Sequence, residues 1–274
     1  MSATMTNPSP IARDFVTRGR CDACPVIDMH GHYGPFSGIY FPKPYAEGML
    51  DTLDGCGMRC IVISGHHALI DPEDGNPEVA DVVRRYPGRF YGYRAVDPTR
   101  PDQLARELAR YHNDPGFVGL KLHPSWHAYP INGPNYTPAW EFAQEHRLIV
   151  LTHSWGGSAY DRPEQVAEMA ARYPGVTVLM GHAGFGAWDT AMALAREHDN
   201  LYLELTAAYR VSGIIERFVN EVGSHKVLFG TDLPWFDPHY AIGCVCFSRI
   251  TDEDRHNILH RNAERLLAPF LADG

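Results

Sequence analysis

The feature that most constrains the fold is a series of eight short runs rich in apolar and β-branched residues, with helical patterns between them. Successive runs begin roughly 25 to 35 residues apart, the spacing of one strand, one helix and two loops. In the intervening segment RPEQVAEMAARY, for example, Val166, Met169 and Tyr173 fall on one helical face. The eight runs are PVIDMH, CIVISG, RFYGYRAV, FVGLKLHP, LIVLTHS, VTVLMGH, LYLELTA and KVLFGTD.

Eight strand–helix repeats predict a parallel sheet that closes into a (β/α)8 TIM barrel, and 274 residues suit a single domain of this kind. An open doubly wound sheet is the alternative, but no strand–turn–helix carries a dinucleotide-type glycine fingerprint. We expect residues 1–24 to form a polar N-terminal lead-in and residues 25–274 to form the barrel. Within the latter, 251–270 read as closing helices.

The charge balance narrows the possible partners. Lys+Arg of 24 against Asp+Glu of 33 gives a net charge of −9, which argues against nucleic acid or an anionic membrane as partner. The N-terminus shows no apolar signal-peptide core, and no stretch approaches the length of a membrane span. We therefore expect a cytoplasmic protein with a small-molecule substrate, and composition leaves self-association into a homo-oligomer open.

The six cysteines read mostly as reduced thiols of a cytoplasmic protein. The pairs Cys21/Cys24 and Cys244/Cys246 have spacings that could hold structural zinc. The two pairs lie far apart in sequence, however, and the C-x-C spacing of the second is unusual. These spacings therefore disfavour structural zinc held by the two cysteine pairs.

Titratable residues recur where the predicted strands end. His30 and His32, in the segment IDMHGH, stand two residues apart. In a strand, both imidazoles therefore point to the same side, as the ligands of one metal ion do. Active sites of (β/α)8 barrels are built at the carboxyl ends of several strands. The sequence therefore predicts one polar site assembled from the first, fourth, fifth, sixth and eighth strands. Its members are His30, His32, Lys121, His123, His153, His182 and Asp232.

These motifs resemble the amidohydrolase superfamily, and within it the amidohydrolase-2 branch of metal-dependent TIM-barrel hydrolases and decarboxylases. The resemblance covers nearly the whole chain, and its motifs occur in the family's order. They are IDMHGH at 27–32, GLKLHP at 119–124, THSWG at 152–156, GHAGFG at 181–186, LFGTDLPW at 228–235 and ILHRNAERLL at 258–267.

The resemblance implies a role for each strand-end residue. His30, His32 and His153 correspond to metal ligands, Asp232 to a ligand that also handles a proton, and His182 to the catalytic acid/base. Three imidazoles and a carboxylate suit one divalent ion, for which we expect Zn²⁺, with Mn²⁺ or another ion as alternatives. Such an ion lowers the pKa of a bound water toward ~7.

Each of these residues could instead have a purely structural role. A strand-end histidine can simply hydrogen-bond a loop, and Asp232 could cap the helix that follows it. His66 and His67 follow the second strand and are expected to be loop residues. The other histidines are predicted at the surface: His112, His146, His198, His225, His239, His256 and His260.

Lys121 decides between one and two metal ions. In binuclear members of the superfamily a fourth-strand lysine is carboxylated and bridges two metals, whereas the amidohydrolase-2 branch usually works with one. We favour one metal and leave the binuclear site open. Lys121 and His123 share one strand face, and Lys121 is then expected to be an ammonium that binds a substrate carboxylate.

Aromatic residues after the strand ends suggest a substrate that is a ring or a flat carbonyl compound. We expect substrate contacts from Lys121, His123, Trp126, Trp155 and Trp235. The branch contains both hydrolases and decarboxylases, and this chain lacks an insertion that is typical of the decarboxylases. The favoured interpretation is therefore a metal-dependent hydrolase of a lactone, amide or ester. The alternatives are a non-oxidative decarboxylase of an aromatic or unsaturated carboxylic acid, and a catalytically inactive metal-binding scaffold.

Overall fold

A computed structural model describes residues 9–271 of the chain. Each of the eight apolar runs forms a strand. The strands are β1 (Val26–Tyr33), β2 (Met58–Gly65), β3 (Phe90–Ala95), β4 (Phe117–Leu122), β5 (Ile149–Thr152), β6 (Thr177–Met180), β7 (Leu201–Glu204) and β8 (Val227–Leu228).

Helices fill the intervals between the strands, and most begin with a proline in the first turn, where its missing N–H costs no hydrogen bond. The helices are α1 (Pro10–Arg18), α2 (Ala46–Cys56), α3 (His66–Ile70), α4 (Pro72–Arg85), α5 (Pro101–Ala109), α6 (Pro124–His127), α7 (Thr137–Glu145), α8 (Pro163–Arg172), α9 (Trp188–Glu197), α10 (Ile214–Val222), α11 (Pro238–Phe247), α12 (Asp252–His256) and α13 (Asn262–Leu271).

The strands form one sheet in the order β1 to β8, and every neighbouring pair is parallel. Because β8 has only two residues, much of the contact with β1 is made by the segment that follows β8. There Asp232 N–H donates to the His30 carbonyl at 2.7 Å, and His32 N–H donates to the Leu233 carbonyl at 2.7 Å. The prediction of a TIM barrel is confirmed.

Two apolar layers hold the barrel together. The larger lies between the strands and the surrounding helices, and the smaller fills the barrel interior with side chains such as Met29, Val62 and Leu151. Strands buried on both faces read as continuous apolar runs. Gly119 on β4 shows how closely the strands approach, because a Cβ there would lie 1.8 Å from the carbonyl oxygen of Ile149 on β5.

The chain ends pack on the barrel. Helix α1 lies in the predicted lead-in and packs on α11 through Phe15 and Phe247, whose ring centroids are 6.3 Å apart. Residues 1–8 of that lead-in lie outside the described residues, and the division at residue 24 stays a prediction. The predicted closing helices are α12, a π-helical turn at Asn257–Arg261, and α13. Within residues 9–271, none of the helices is both long and apolar enough to cross a membrane.

Candidate active site

The predicted strand-end residues meet at the carboxyl end of the barrel. His30 and His32 lie on β1, while His153, His182 and Asp232 lie just beyond the ends of β5, β6 and β8. His182 has φ 59° and Asp232 has φ 62°, a left-handed conformation that non-glycine residues rarely adopt. Such backbone strain clusters at functional sites, where the surrounding structure imposes it. Here it turns both side chains into the same cavity.

The atoms nearest the centre of the site are spaced as metal ligands are. Asp232 Oδ1 lies 3.1 Å from His30 Nε2 and 3.2 Å from His32 Nε2. Two ligands ~2.1 Å from one ion and at right angles to each other are ~3 Å apart. His30, Asp232 and His182 each offer a ligand atom within 4.8 Å of the others. Within the described chain, Asp232 Oδ1 and His182 Nδ1 are buried without a hydrogen-bond partner. Buried polar atoms normally have partners, so these residues fit a bound cation.

Carboxylates orient two of the histidines. His30 Nδ1 lies 2.7 Å from Glu204 Oε2, and His153 Nδ1 lies 2.8 Å from Asp161 Oδ2. A carboxylate that accepts the Nδ1 proton fixes the tautomer and puts the ring's lone pair on Nε2. Metal-binding histidines show this arrangement. His30 and His153 are therefore held as ligands would be.

The other two histidines differ from each other. His32 Nδ1 lies 3.2 Å from the hydroxyl of Ser64, so its Nε2 is also directed to the cavity. His182 has no such anchor within the described chain, although one of its ring nitrogens lies within 4.8 Å of the ligand atoms of His30 and Asp232. The ligand set His30, His32, His153 and Asp232, with His182 as acid/base, therefore stays a prediction.

Burial dominates the electrostatics of the site. It lowers the pKa values of His30, His32 and His182 well below the usual histidine range. Burial alone would raise the pKa of Asp232, but the neighbouring His30 and His182, with Lys121, lower it overall. Neutral imidazoles beside an ionised carboxylate are the protonation states in which these groups bind metal.

Lys121 lies among the candidate metal ligands. Its Nζ is 2.7 Å from His30 Nε2, and the side chain is buried. Burial lowers the pKa of Lys121 to about 8, while Asp232 and Glu204 oppose the shift. The lysine thus places one positive charge at the floor of the cavity, where a substrate carboxylate could meet it.

Sequence reasoning missed Glu204 and Asp28. Glu204 ends β7 and is fully buried, and burial raises its pKa to about 7. Asp28 is buried on β1, accepts hydrogen bonds from the backbone of His30 and Thr231, and has a pKa raised by burial to about 8. The rule that titratable residues at strand ends are functional applies to Glu204, but the run LYLELTA does not show that the strand ends there.

Aromatic side chains form the walls of a cavity of about 360 Å³ above this cluster. All five predicted substrate-contact residues line it, and Trp155 stacks on His153 with centroids 5.6 Å apart. This volume lies in the range of small-molecule sites, ~300–1,000 Å³. The lining residues are His30, His32, Phe36, His66, Leu69, Lys121, His123, Trp126, His153, Trp155, His182, Ala207, Arg210, Asp232, Trp235 and Phe236.

Several residues of this wall were not predicted to contact substrate, among them His66, Phe36 and Arg210. His66, expected in a loop, begins α3 instead and stacks on His32 with centroids 4.7 Å apart. Phe36 and Arg210 also line the cavity. Arg210 lies over the ring of Phe236 at 5.9 Å and adds a second positive charge near the rim.

The fold and the site define the class: a (β/α)8 barrel with a histidine-rich, metal-binding arrangement at the carboxyl ends of its strands. Within that class, the sequence profile of the family described as Amidohydrolase matches residues 27–268, and the chain belongs to this family. The resemblance to the amidohydrolase-2 branch is thereby confirmed.

Two sequence relatives of the chain, and one solved structure with a similar fold, are named as decarboxylases. The chain is 26% identical over 242 residues to gamma-resorcylate decarboxylase of Polaromonas sp. (strain JS666), covering 70% of this chain and 74% of the relative. A gamma-resorcylate decarboxylase of Rhodococcus jostii (strain RHA1) is 25% identical over 249 residues, with the same shares covered. A solved structure of dihydroxybenzoic acid decarboxylase from Polaromonas sp. JS666, with bound manganese and the inhibitor 2-nitroresorcinol, superposes with a TM-score of 0.71. It is 18% identical, covering 91% of this chain and 98% of that one.

The expectation of a hydrolase is wrong. The relatives are named for decarboxylation. The expectation rested on an insertion that this chain lacks, but relatives named as decarboxylases nevertheless align with 70% of this chain. Hydrolysis and decarboxylation can use the same ligands, so loop length was a poor discriminator. The expectation of zinc is likewise unsupported, because the bound metal of the solved relative is manganese.

Proposed function

We propose that this protein is a metal-dependent, non-oxidative decarboxylase of a hydroxylated aromatic carboxylic acid, acting in the cytoplasm. The observation that carries the proposal is the cluster of histidines, Asp232 and Lys121 at the floor of an aromatic-walled cavity. The decarboxylase names of the relatives support the reaction class. A hydroxybenzoate offers a flat ring for the aromatic walls and a carboxylate for the buried ammonium.

The metal in this proposal is one divalent ion held by His30, His32, His153 and Asp232. Imidazole and carboxylate ligands accept Mn²⁺ as well as Zn²⁺, and the manganese of the solved relative favours Mn²⁺. When bound, the ion supplies Lewis-acid polarisation of a substrate oxygen and a fixed point for orienting the ring.

The chain's own residues handle the proton and the charge. Decarboxylation breaks the bond between the ring carbon and the carboxylate carbon and requires a proton at that ring carbon. In our proposal His182 donates it, since its Nδ1 is buried and unanchored beside Asp232, whose charge opposes the lowering of the His182 pKa by burial. His182 takes up a proton from solvent before each transfer, and Asp232 serves both as ligand and as the negative charge that stabilises the protonated His182 ring.

Positive charge and aromatic surface orient the acid. Lys121 holds the carboxylate until the ring is protonated, and Arg210 lies at the rim, where it draws an anionic substrate inward. Trp155 and Phe236 supply ring faces for stacking. The cavity floor is buried, so water is largely excluded where the proton is transferred.

The proposal is tested with protein loaded with Mn²⁺ and a panel of γ-resorcylate, salicylate and the para isomer of salicylate. We expect CO₂ release from at least one acid, with deuterium from D₂O at the vacated ring carbon. Asp232→Asn, which removes a ligand charge, is the control and should be nearly inactive. The methyl ester of γ-resorcylate distinguishes hydrolysis. Ester cleavage with ¹⁸O from water in the acid, and no CO₂ from any acid of the panel, would overturn the proposal.

A further inference from the structure

A second group of metal-ligating side chains lies at the opposite end of the barrel. Cys24 Sγ and one nitrogen each of His256 and His260 lie within 4.8 Å of one another. Cys24 is fully buried, His260 is 9% exposed and His256 is partly buried. The prediction that His260 lies at the surface is therefore wrong. Cys24 lies two positions before the start of β1 and six positions before His30, which puts the two sites about 20 Å apart along an extended strand.

We propose that Cys24, His256 and His260 form a second metal site, selective for Zn²⁺, that ties the start of β1 to the helices closing the barrel. One thiolate and two imidazoles are a donor set that zinc prefers, and three protein ligands leave a fourth position for water. No carboxylate is part of the set, which distinguishes it from the site at the carboxyl ends of the strands.

His260 is oriented as a ligand. Its Nδ1 lies 3.1 Å from Glu264 Oε2, one helical turn further on, so Nδ1 carries the proton and Nε2 presents its lone pair. That Nε2 lies 3.0 Å from His256 Nδ1. Two ring nitrogens and a thiol thus converge, and a cation bound among them would satisfy all three.

The local backbone explains how these residues meet. Cys24 N–H donates to the Cys21 carbonyl at 3.1 Å, closing a tight turn that directs Cys24 inward just before β1. His256 ends α12, and His260 lies in the π-helical turn Asn257–Arg261. Such turns are rare and often occur at functional sites. Residues four apart in a helix share one face, so both rings point toward Cys24.

An approach path for the ion is present. A cavity of about 650 Å³ is lined by Cys24, His256, Asp252 and Arg18, among others. Cys21 also lines it, but its Sγ lies 3.9 Å from Cys246 Sγ and 3.4 Å from the Ile11 carbonyl. Cys21 is therefore engaged elsewhere, and in our proposal a water molecule from this cavity supplies the fourth ligand.

Cobalt substitution separates this site from the first, because only this one contains a thiolate. Metal-free protein titrated with Co²⁺ should develop thiolate-to-cobalt charge-transfer absorption in the near ultraviolet. Cys24→Ser and, independently, the partly buried His256→Gln should abolish that absorption. Cys244→Ser, which removes a half-buried thiol outside the cluster, is the matched control and should retain it. Glu264→Gln should keep the absorption but weaken Co²⁺ binding roughly 10- to 100-fold.

The alternative is a hydrogen-bonded chain from His256 through His260 to Glu264 with no ion. It predicts that the wild type binds Co²⁺ without any thiolate absorption, and that result would overturn the proposal. Absorption that persists in folded Cys24→Ser would do so as well, because another thiol would then be responsible. If Cys24→Ser does not fold, as judged by circular dichroism, His256→Gln replaces it in the test. Thiolate-to-cobalt absorption that persists in folded His256→Gln would likewise overturn the proposal.

Discussion

At the scale of single residues, Glu204 is the clearest test of how the site is organised. Its carboxylate holds His30 Nδ1 at 2.7 Å and also accepts the His182 backbone N–H at 3.3 Å. Glu204→Gln should keep the fold but lower affinity for the active-site ion about 10- to 100-fold, because the charge that orients His30 is lost. Isothermal titration of metal-free protein with Mn²⁺ measures this.

Glu107 provides the matched control for Glu204. It is equally buried, but its carboxylate binds Arg94 at 2.6 Å and Asn76 at 2.7 Å, outside the cavity. Glu107→Gln should therefore lower thermal stability without changing Mn²⁺ affinity. Equal Mn²⁺ affinity in wild type and Glu204→Gln would show that Glu204 does not tune the metal site.

His153 and His182 test the division between ligand and acid/base. His153 is anchored by Asp161, whereas His182 Nδ1 has no partner in the described chain. His153→Asn should lose metal. His182→Asn should retain fold and metal but lower kcat by roughly 10²-fold or more, the usual contribution of a general acid. Metal analysis and steady-state kinetics separate the two. Loss of metal in His182→Asn would make His182 a ligand, as its closeness to His30 and Asp232 allows.

At the scale of elements, the sequence predicted all eight strands because each is buried and therefore reads as an apolar run. The convergence of the strand-end residues on one site was predictable from the fold, because parallel strands bring their carboxyl ends together. The loops were not predictable in this way. Phe36 and Arg210 lie in connecting segments whose sequences have no helical or strand periodicity. Only the folded chain therefore shows that their side chains line the cavity. Glu204 was hidden inside LYLELTA, where it reads as part of a strand.

The pairing of β4 with β5 depends on Gly119. A Cβ at this position would lie 1.8 Å from the backbone oxygen of Ile149, which cannot move without breaking the sheet. Gly119→Ala should therefore lower the free energy of unfolding by about 1–3 kcal/mol or more, the usual cost of overpacking. In contrast, Gly55→Ala on the exposed face of α2 meets no atom within 4 Å and should stabilise the protein by up to ~1 kcal/mol. Urea denaturation measures both, and a neutral Gly119→Ala would contradict so close an approach of the two strands.

At the scale of the whole molecule, two of the proposed metal ligands lie on either side of the seam between β8 and β1, where the barrel closes. β8 has two residues, and β7 and β8 share only two residue pairs. Across the seam, the backbone of Asp232 and of Leu233 is hydrogen-bonded to β1 at His30 and His32. The proposed ligands His30 and Asp232 lie on the two sides of this seam. An ion bound there would hold together the part of the barrel with the shortest strand.

Metal binding should therefore protect the seam more than the rest of the barrel. The measurement is hydrogen–deuterium exchange with and without Mn²⁺, made on His256→Gln so that the second proposed site does not contribute. At a free Mn²⁺ concentration 100 times Kd, linkage gives about 2.7 kcal/mol of stabilisation. We expect the largest gain in protection in residues 29–33 and 229–233, and little change in α8, which packs on β6 and α9 away from the seam. A uniform gain would mean that the ion stabilises only the global fold, and no gain at the seam would contradict a ligand set that bridges β1 and β8.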